Sequence, residues 1–317
     1  MAYTKKEIPT LNPIITTNNL TKRFGKATAL NELNLKDGGG ISGFVGPNGA
    51  GKTTTIHILL GFLKPNDGTA TVFGLDCWKE SLKIRQKIGF LQEHPAYPSA
   101  FTAQRFLEHV GHLYGLQQPK QKAKDTLKEV GLAHAAEKAI GTYSAGMFQR
   151  LGLAQALIGE PQLVILDEPT ANLDPSGRLE LLEKIKQLHK DKGICFLIST
   201  HILPELEKIC NWVSIINEGS IVEQGYIQDL ANKYSSNTYR ITVSDPPTFL
   251  KALQKQTFIE EAWSEENIIY AKVKDTNAFR EEAPRIATAK KMQLIELRPV
   301  YGALEQIYSI AMKREEQ

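Results

Sequence analysis

The chain contains several short runs of apolar residues with the length of buried β-strands. The runs at 163–166 and 194–198 are wholly apolar, and residues 40–45 can form another such strand. Continuous hydrophobicity is typical of parallel strands that helices cover on both faces, whereas half-exposed strands alternate. The pattern therefore predicts an α/β protein with a parallel-sheet core.

Other segments have different periodicities. Residues 14–36 alternate as two strands of an antiparallel edge sheet would, and 69–74 and 88–91 indicate further strands. Between 102 and 157 the apolar spacing is helical, with breaks at glycine and proline. We interpret about 95–160 as a helical insertion into the core.

The character of the chain changes near residue 235. From there the pattern predicts elements in the order β-α-β-β-α-β, followed by a helix over about 302–313. That order is typical of a small α+β domain of the split-βαβ type. We therefore expect a polar arm at 1–13, a main domain at 14–230 and an accessory domain at 235–317.

A glycine-rich loop joins the first buried run to a helical segment. Its residues are Gly46, Pro47, Asn48, Gly49, Ala50, Gly51, Lys52, Thr53 and Thr54, in the pattern G-x-x-x-x-G-K-T. Glycines let backbone N–H groups wrap around a phosphate, and the helix N-terminus adds a positive dipole. Lys52 can reach the β- and γ-phosphates, and the Thr53 hydroxyl can bind Mg²⁺. This predicts a site for a nucleoside triphosphate with Mg²⁺.

Ionisable residues follow two of the buried runs. Asp167 and Glu168 end the run at 163–166, where ligands collect in open α/β sheets. Asp167 there can hold Mg²⁺, and Glu168 can polarise the water that attacks the phosphate. An acidic pair can also cap a helix. His201 follows the run at 194–198 and can donate to a γ-phosphate, although a lone histidine is more often a surface or capping residue.

Phe24 lies between the two strands of the predicted edge sheet, ahead of the glycine-rich loop. Its ring could stack on a nucleotide base, or it could be a half-exposed hairpin aromatic.

Composition excludes some classes of protein. The net charge of +3 is far from that of a dedicated nucleic-acid binder, and 42% hydrophobic with 23% charged residues is ordinary for a soluble protein. Three cysteines without metal-ligand spacing favour a reducing cytosol. No apolar run approaches the roughly 20 residues that cross a bilayer.

Together these motifs resemble the ATP-binding subunits of ABC transporters. Residues 46–53 resemble the Walker A motif, and 163–167 followed by Glu168 resemble Walker B and its glutamate. The segment 143–147 (Tyr-Ser-Ala-Gly-Met) resembles the LSGGQ signature. The resemblance implies that Ser144 and Gly146 contact the γ-phosphate of a partner subunit's ATP.

The same resemblance assigns roles to four other positions. Residues 171–174, ending in Asp174, resemble the D-loop, and His201 resembles the switch histidine. Phe24 takes the place of the base-stacking aromatic. The family usually has a glutamine after the strand at 88–91, and here Gln92 or Glu93 could fill that Mg²⁺-contacting position.

The resemblance implies an ATPase that dimerises head to tail and drives a separate transmembrane permease. Such a subunit would be cytoplasmic, held at the inner face of the membrane by its partner, and the accessory domain points to an exporter. The rival interpretations are a soluble ATPase of the same fold that acts on nucleic acid or the ribosome, and a small-molecule phosphotransferase. The modest charge and single phosphate loop argue against the first, and the signature motif against the second.

Overall fold

The structure is a computed structural model that describes residues 13–234, 238–299 and 303–313. These residues form two compact units that divide between Asp229 and Leu230. Residues 1–12 of the predicted arm lie outside the described ranges. None of the described helices has the length and apolar character that a bilayer span needs.

The first unit alternates strands and helices. Its strands are β1 (Ile15–Phe24), β2 (Ala27–Leu33), β3 (Ile41–Val45), β4 (Asp67–Val72), β5 (Leu75–Asp76), β6 (Ile88–Leu91), β7 (Leu163–Asp167), β8 (Cys195–Thr200), β9 (Trp212–Asn217) and β10 (Ser220–Tyr226). Its helices are α1 (Lys52–Leu59), α2 (Ser81–Arg85), α3 (Ala103–Leu113), α4 (Pro119–Glu129), α5 (Ala145–Leu157), α6 (Pro175–Lys192) and α7 (Leu203–Leu206); α8 (Ile227–Tyr234) crosses into the second unit.

A six-stranded sheet forms the centre of this unit. Its order is β10-β9-β3-β8-β7-β6, and all neighbours are parallel except the antiparallel pair β10 and β9. Every residue of β3 and β7 is buried. The predicted parallel-sheet core is therefore confirmed, and the carboxyl ends of β3, β7 and β8 meet at one edge.

An antiparallel sheet of order β2-β1-β4-β5 packs in the same unit, which confirms the predicted antiparallel edge sheet. One apolar cluster joins the two sheets through helix α1. It includes Leu20 and Leu33 from the antiparallel sheet, Ile56 from α1, and Ile165 and Leu197 from the parallel sheet.

The helical insertion comprises α3, α4 and α5. Thr102 caps α3 by accepting a hydrogen bond from the Arg105 N–H at 3.2 Å. Helix α5 returns the chain to the sheet, because it packs directly on β6: a Cβ on Gly89 would lie 2.0 Å from the Ala156 carbonyl oxygen. The segment at the start of α5 is therefore linked to the core through a helix that packs on β6.

The second unit has its own sheet and core. Its elements are β11 (Thr238–Val243), α9 (Pro246–Leu253), β12 (Ile259–Glu265), β13 (Ile268–Val273), α10 (Thr276–Ala289), β14 (Leu294–Pro299) and α11 (Ala303–Lys313). The four strands pair antiparallel in the order β12-β13-β11-β14. Tyr239, Ile241, Phe249 and Phe279 are core side chains between sheet and helices. The predicted small α+β domain is confirmed as a fold, and its β-α-β-β-α-β order is that of the split-βαβ type.

Candidate functional site

The glycine-rich loop links β3 to α1 and follows a tight path. The Ala50 N–H donates to the Pro47 carbonyl at 3.2 Å, and the Gly219 N–H donates to the Ala50 carbonyl at 3.0 Å. Gly51 has a φ of +107°, and a Cβ there would lie 2.8 Å from the Ala29 carbonyl oxygen. Only glycine fits this position, and the helix that follows presents its N-terminus to the adjoining cavity.

The Lys52 side chain curls back over the loop. Its ammonium group donates to the Gly46 carbonyl at 2.7 Å and to the Pro47 carbonyl at 3.2 Å. It also lies 3.5 Å from the Glu168 carboxylate, and both side chains are less than one-tenth exposed. A buried cation is therefore held at the cavity wall, where it can pair with phosphate oxygens.

Asp167 links the ends of two parallel strands to the phosphate loop. Thr53 Oγ1 donates to Asp167 Oδ2 at 3.0 Å, and Ser199 Oγ donates to Asp167 Oδ1. Asp167 is paired with Ser199 in the register between β7 and β8. A hydroxyl and a buried carboxylate side by side are the hard oxygen ligands that Mg²⁺ prefers. Thr53 and Asp167 therefore fit a Mg²⁺ ion, which when bound would neutralise charge on the phosphates.

Glu168 has a left-handed backbone conformation with a φ of +48°. Its N–H donates to the Ser199 carbonyl at 3.0 Å, which continues the pairing of β7 with β8 as far as this residue. The buried carboxylate faces the ring of His201, whose Nδ1 lies 3.1 and 3.2 Å from its two oxygens. A carboxylate aimed into the cavity can accept a proton from water, and the half-exposed imidazole can donate to a phosphate.

Lys52, Glu168 and His201 line one cavity of about 360 Å³. It is lined by Ala29, Asn48, Gly49, Gly51, Lys52, Thr53, Thr54, Glu93, Glu168 and His201. Ala29, which reaches the cavity from β2, has no feature in the sequence that predicts this position. Of the two residues after β6, Glu93 lines the cavity, whereas Gln92 is exposed and donates to the His94 carbonyl at 3.0 Å.

Several predicted contact residues are not among the described residues that line this cavity, namely Gly46, Pro47, Ala50, Gln92 and Asp167 as well as four from other segments of the chain. Ser144 caps α5 by accepting from the Met147 N–H at 3.3 Å, and a Cβ on Gly146 would lie 4.0 Å from Leu173. Asp174 caps α6 and accepts from the Gly177 N–H at 3.3 Å. Phe24 is 51% exposed, with the Lys22 ammonium 5.2 Å from its ring centre.

Comparisons with known proteins agree with the geometry. The family described as ABC transporter matches residues 30–171. The chain is 41% identical to the bacitracin transport ATP-binding protein BcrA of Bacillus licheniformis, over 68% of this chain and 70% of that protein. It is 33% identical to the linearmycin resistance ATP-binding protein LnrL of Bacillus subtilis, over 92% of this chain and 95% of that protein.

Two solved structures have a similar fold. The first is described as cbiO1 from Clostridium perfringens, part of the ABC transporter complex cbiONQ, with a TM-score of 0.64 and 26% identity over 70% of this chain and 92% of that one. The second is an ATP-binding cassette of an ABC transporter in its ADP conformation, with a TM-score of 0.61 and 26% identity over 68% of this chain and 91% of that one.

Proposed function

Because this chain belongs to the family of ABC transporter ATP-binding proteins, we propose that it powers export through a separate transmembrane permease. The chain is an ATPase and an ATP-binding transporter subunit. Relatives named for bacitracin transport, linearmycin resistance and daunorubicin resistance support outward transport. The permease would hold the subunit at the cytoplasmic face of the membrane, docking near residues 93–105.

Each residue at the site would have a separate role in ATP hydrolysis. The loop N–H groups and Lys52 would bind the phosphates, and Thr53 and Asp167, which are hydrogen-bonded to each other, would hold Mg²⁺. Glu168 accepts the proton of the attacking water. His201, 3.1 Å from Glu168, would donate to the γ-phosphate, and Glu93, which lines the same cavity, would contact Mg²⁺ or that water.

One observation supports a head-to-tail dimer: the phosphate loop and the signature residues are separate in the described part of the chain. The phosphate cavity is lined by residues near Lys52 and Glu168, whereas the exposed Ser144 stands at the start of α5 outside that lining. In a head-to-tail pair, Ser144 and Gly146 of one subunit would cover the ATP of the other. Asp174 would approach the shared nucleotide from the D-loop, and Phe24 would stack on the base.

The test is a variant that binds ATP and does not hydrolyse it. Glu168→Gln leaves Lys52 and the loop intact, so ATP binding should persist. Turnover should fall by about 10²- to 10⁴-fold, because an amide is a poor proton acceptor. Trapped ATP should hold two subunits together, so the variant should be a dimer in Mg-ATP and a monomer without nucleotide, measured by size-exclusion chromatography with light scattering.

Adding Ser144→Arg tests which residue faces the partner. The arginine would fill the space that the partner's γ-phosphate must enter, while each subunit's own phosphate loop stays unchanged. The double variant should therefore bind ATP and stay monomeric. If it dimerises on ATP as well as Glu168→Gln alone does, Ser144 does not face the partner's nucleotide and the head-to-tail arrangement is wrong.

A further inference from the structure

The loop after β7, residues 169–174, is tied to helix α7 by one carboxylate. Thr170 Oγ1 donates to Glu205 Oε2 at 2.7 Å, and Arg178 Nη1 donates to Glu205 Oε1 at 3.2 Å. The Glu205 side chain is only 13% exposed, and Thr170 is fully buried. Both carboxylate oxygens of Glu205 therefore accept hydrogen bonds from the segment that follows Glu168. Charge-assisted hydrogen bonds are strong in a buried environment of this kind.

Arg178 extends this connection to the far end of the loop. Its Nε donates to the Leu173 carbonyl at 2.8 Å. A Cβ added to Gly146 in the signature segment would lie 4.0 Å from Leu173 Cδ2, and the Ala171 N–H donates to the Glu168 carbonyl at 3.2 Å. The loop thus runs from the hydrolytic carboxylate to the signature, and Glu205 holds it between these ends.

Glu205 is itself anchored to the core. It lies four residues after His201, and the Ile202 N–H between them donates to Thr200 Oγ1 at 3.0 Å. The next residue, Leu206, is fully buried against β3, because a Cβ on Gly43 would lie 2.7 Å from it. Since β3 leads into the phosphate loop, Glu205 has a fixed position relative to that loop.

We propose that Glu205 is a positioning residue for ATP hydrolysis, which holds the 169–174 loop in place relative to Glu168 and His201. The proposal rests on the hydrolytic roles proposed above for those two residues. Glu205 would act through Thr170 and Arg178 and would not contact ATP itself. Its loss should therefore lower turnover at saturating ATP and leave nucleotide affinity unchanged, because Lys52 and the loop amides are untouched.

The test is a double-mutant cycle on the full chain with Glu205→Gln and Thr170→Val. Each single variant should lower kcat about tenfold, since Thr170→Val removes the hydroxyl donor and Glu205→Gln replaces the charged acceptor by a neutral amide. The kcat of the double variant should be no more than about twofold below that of the more impaired single variant, because both changes affect the same contact. The dissociation constant for Mg-ATP, measured by calorimetry, should stay within about twofold in all of them.

Two matched controls separate positioning from general damage. Thr170→Ser keeps the hydroxyl and should retain nearly full kcat. Glu183→Gln removes an exposed carboxylate on α6, the helix that carries Arg178, and should change nothing. Thermal unfolding reports the stability of every variant.

The proposal is overturned if both single variants keep kcat within twofold of the unaltered chain, even if they melt earlier, because the contact would then be structural only. It is also overturned if their losses multiply to about a hundredfold in the double variant, because Thr170 and Glu205 would then act separately. Failure of the proposed function would look different: Glu168→Gln would keep hydrolysing ATP, whatever the Glu205 variants did.

Discussion

Replacing Gly51 by alanine should damage nucleotide binding far more than the same change at Gly49. At Gly51 the φ is +107°, and the added Cβ would lie 2.7 Å from Leu30 Cδ2 and 2.8 Å from the Ala29 carbonyl oxygen. The leucine methyl can rotate away, whereas the carbonyl belongs to the β2 backbone and cannot. The loop must therefore move, and its N–H groups move with it.

The structure sets the expected size of the effect. A backbone in this sparsely populated region costs about 1–3 kcal/mol, and the close contact adds about 1–3 kcal/mol. The lower end of the sum, about 2 kcal/mol, corresponds to a loss of about 30-fold in Mg-ATP affinity for Gly51→Ala. Gly49 has a φ of +84° and open space around it. Gly49→Ala therefore carries only the backbone cost, whose lower end of about 1 kcal/mol corresponds to a loss of about fivefold in affinity.

The assay is calorimetric titration with Mg-ATP in the Glu168→Gln background, where hydrolysis does not interfere. Thermal unfolding confirms that both variants are folded at the titration temperature. If Gly51→Ala binds ATP as tightly as Gly49→Ala, the contact with the Ala29 carbonyl does not constrain the loop, and our account of its shape is wrong.

Three further outcomes follow from the structure. Glu93→Ala should lower permease-stimulated ATPase activity more than Gln92→Ala, with little change in ATP affinity; the reverse ranking in a stimulated assay would assign the role to Gln92. Deleting residues 235–317 should leave nucleotide binding intact and weaken dimerisation or coupling, because the described phosphate-site residues all precede it; a folded truncation that no longer binds ATP in calorimetry would contradict this. Burial raises the pKa of Asp37, so its folded-state proton is held more tightly than in the unfolded chain, and its contribution to stability is lost as pH rises from about 4 through the raised pKa. The stability of the unaltered chain relative to Asp37→Asn, followed by thermal unfolding, should therefore fall with rising pH, and a constant difference would refute this.

The elements that the sequence predicts best are those marked by a pattern of consecutive residues, such as an apolar run. Strand β7 is four apolar residues ending in a carboxylate, and it is fully buried as expected. Strand β10 was not predicted, because each of its residues is half-buried and neither alternation nor a continuous apolar run marks it. Its position depends on pairing with β9, which no local pattern specifies.

The functional site likewise contains features that a local sequence pattern predicts and features that depend on pairing between distant segments. The spacing of glycines and Lys52 predicts the phosphate loop from nine consecutive residues. The bond between Ser199 and Asp167 depends on the register of β7 and β8, which are separated by helix α6 in the chain. The choice between Gln92 and Glu93 likewise needs the direction of each side chain after β6, and adjacent residues there point to different surroundings.

The accessory sheet has two edges among the described residues, formed by β12 and β14. An unpaired strand edge is a template on which other chains can add and aggregate, and charged residues or proline there discourage it. Strand β12 carries Glu260, Glu261 and Glu265, and β14 ends in Arg298 and Pro299. Like charges would repel a second β12, and Pro299 has no N–H to offer. At high concentration, copies of this chain should therefore not join to one another through these two strand edges.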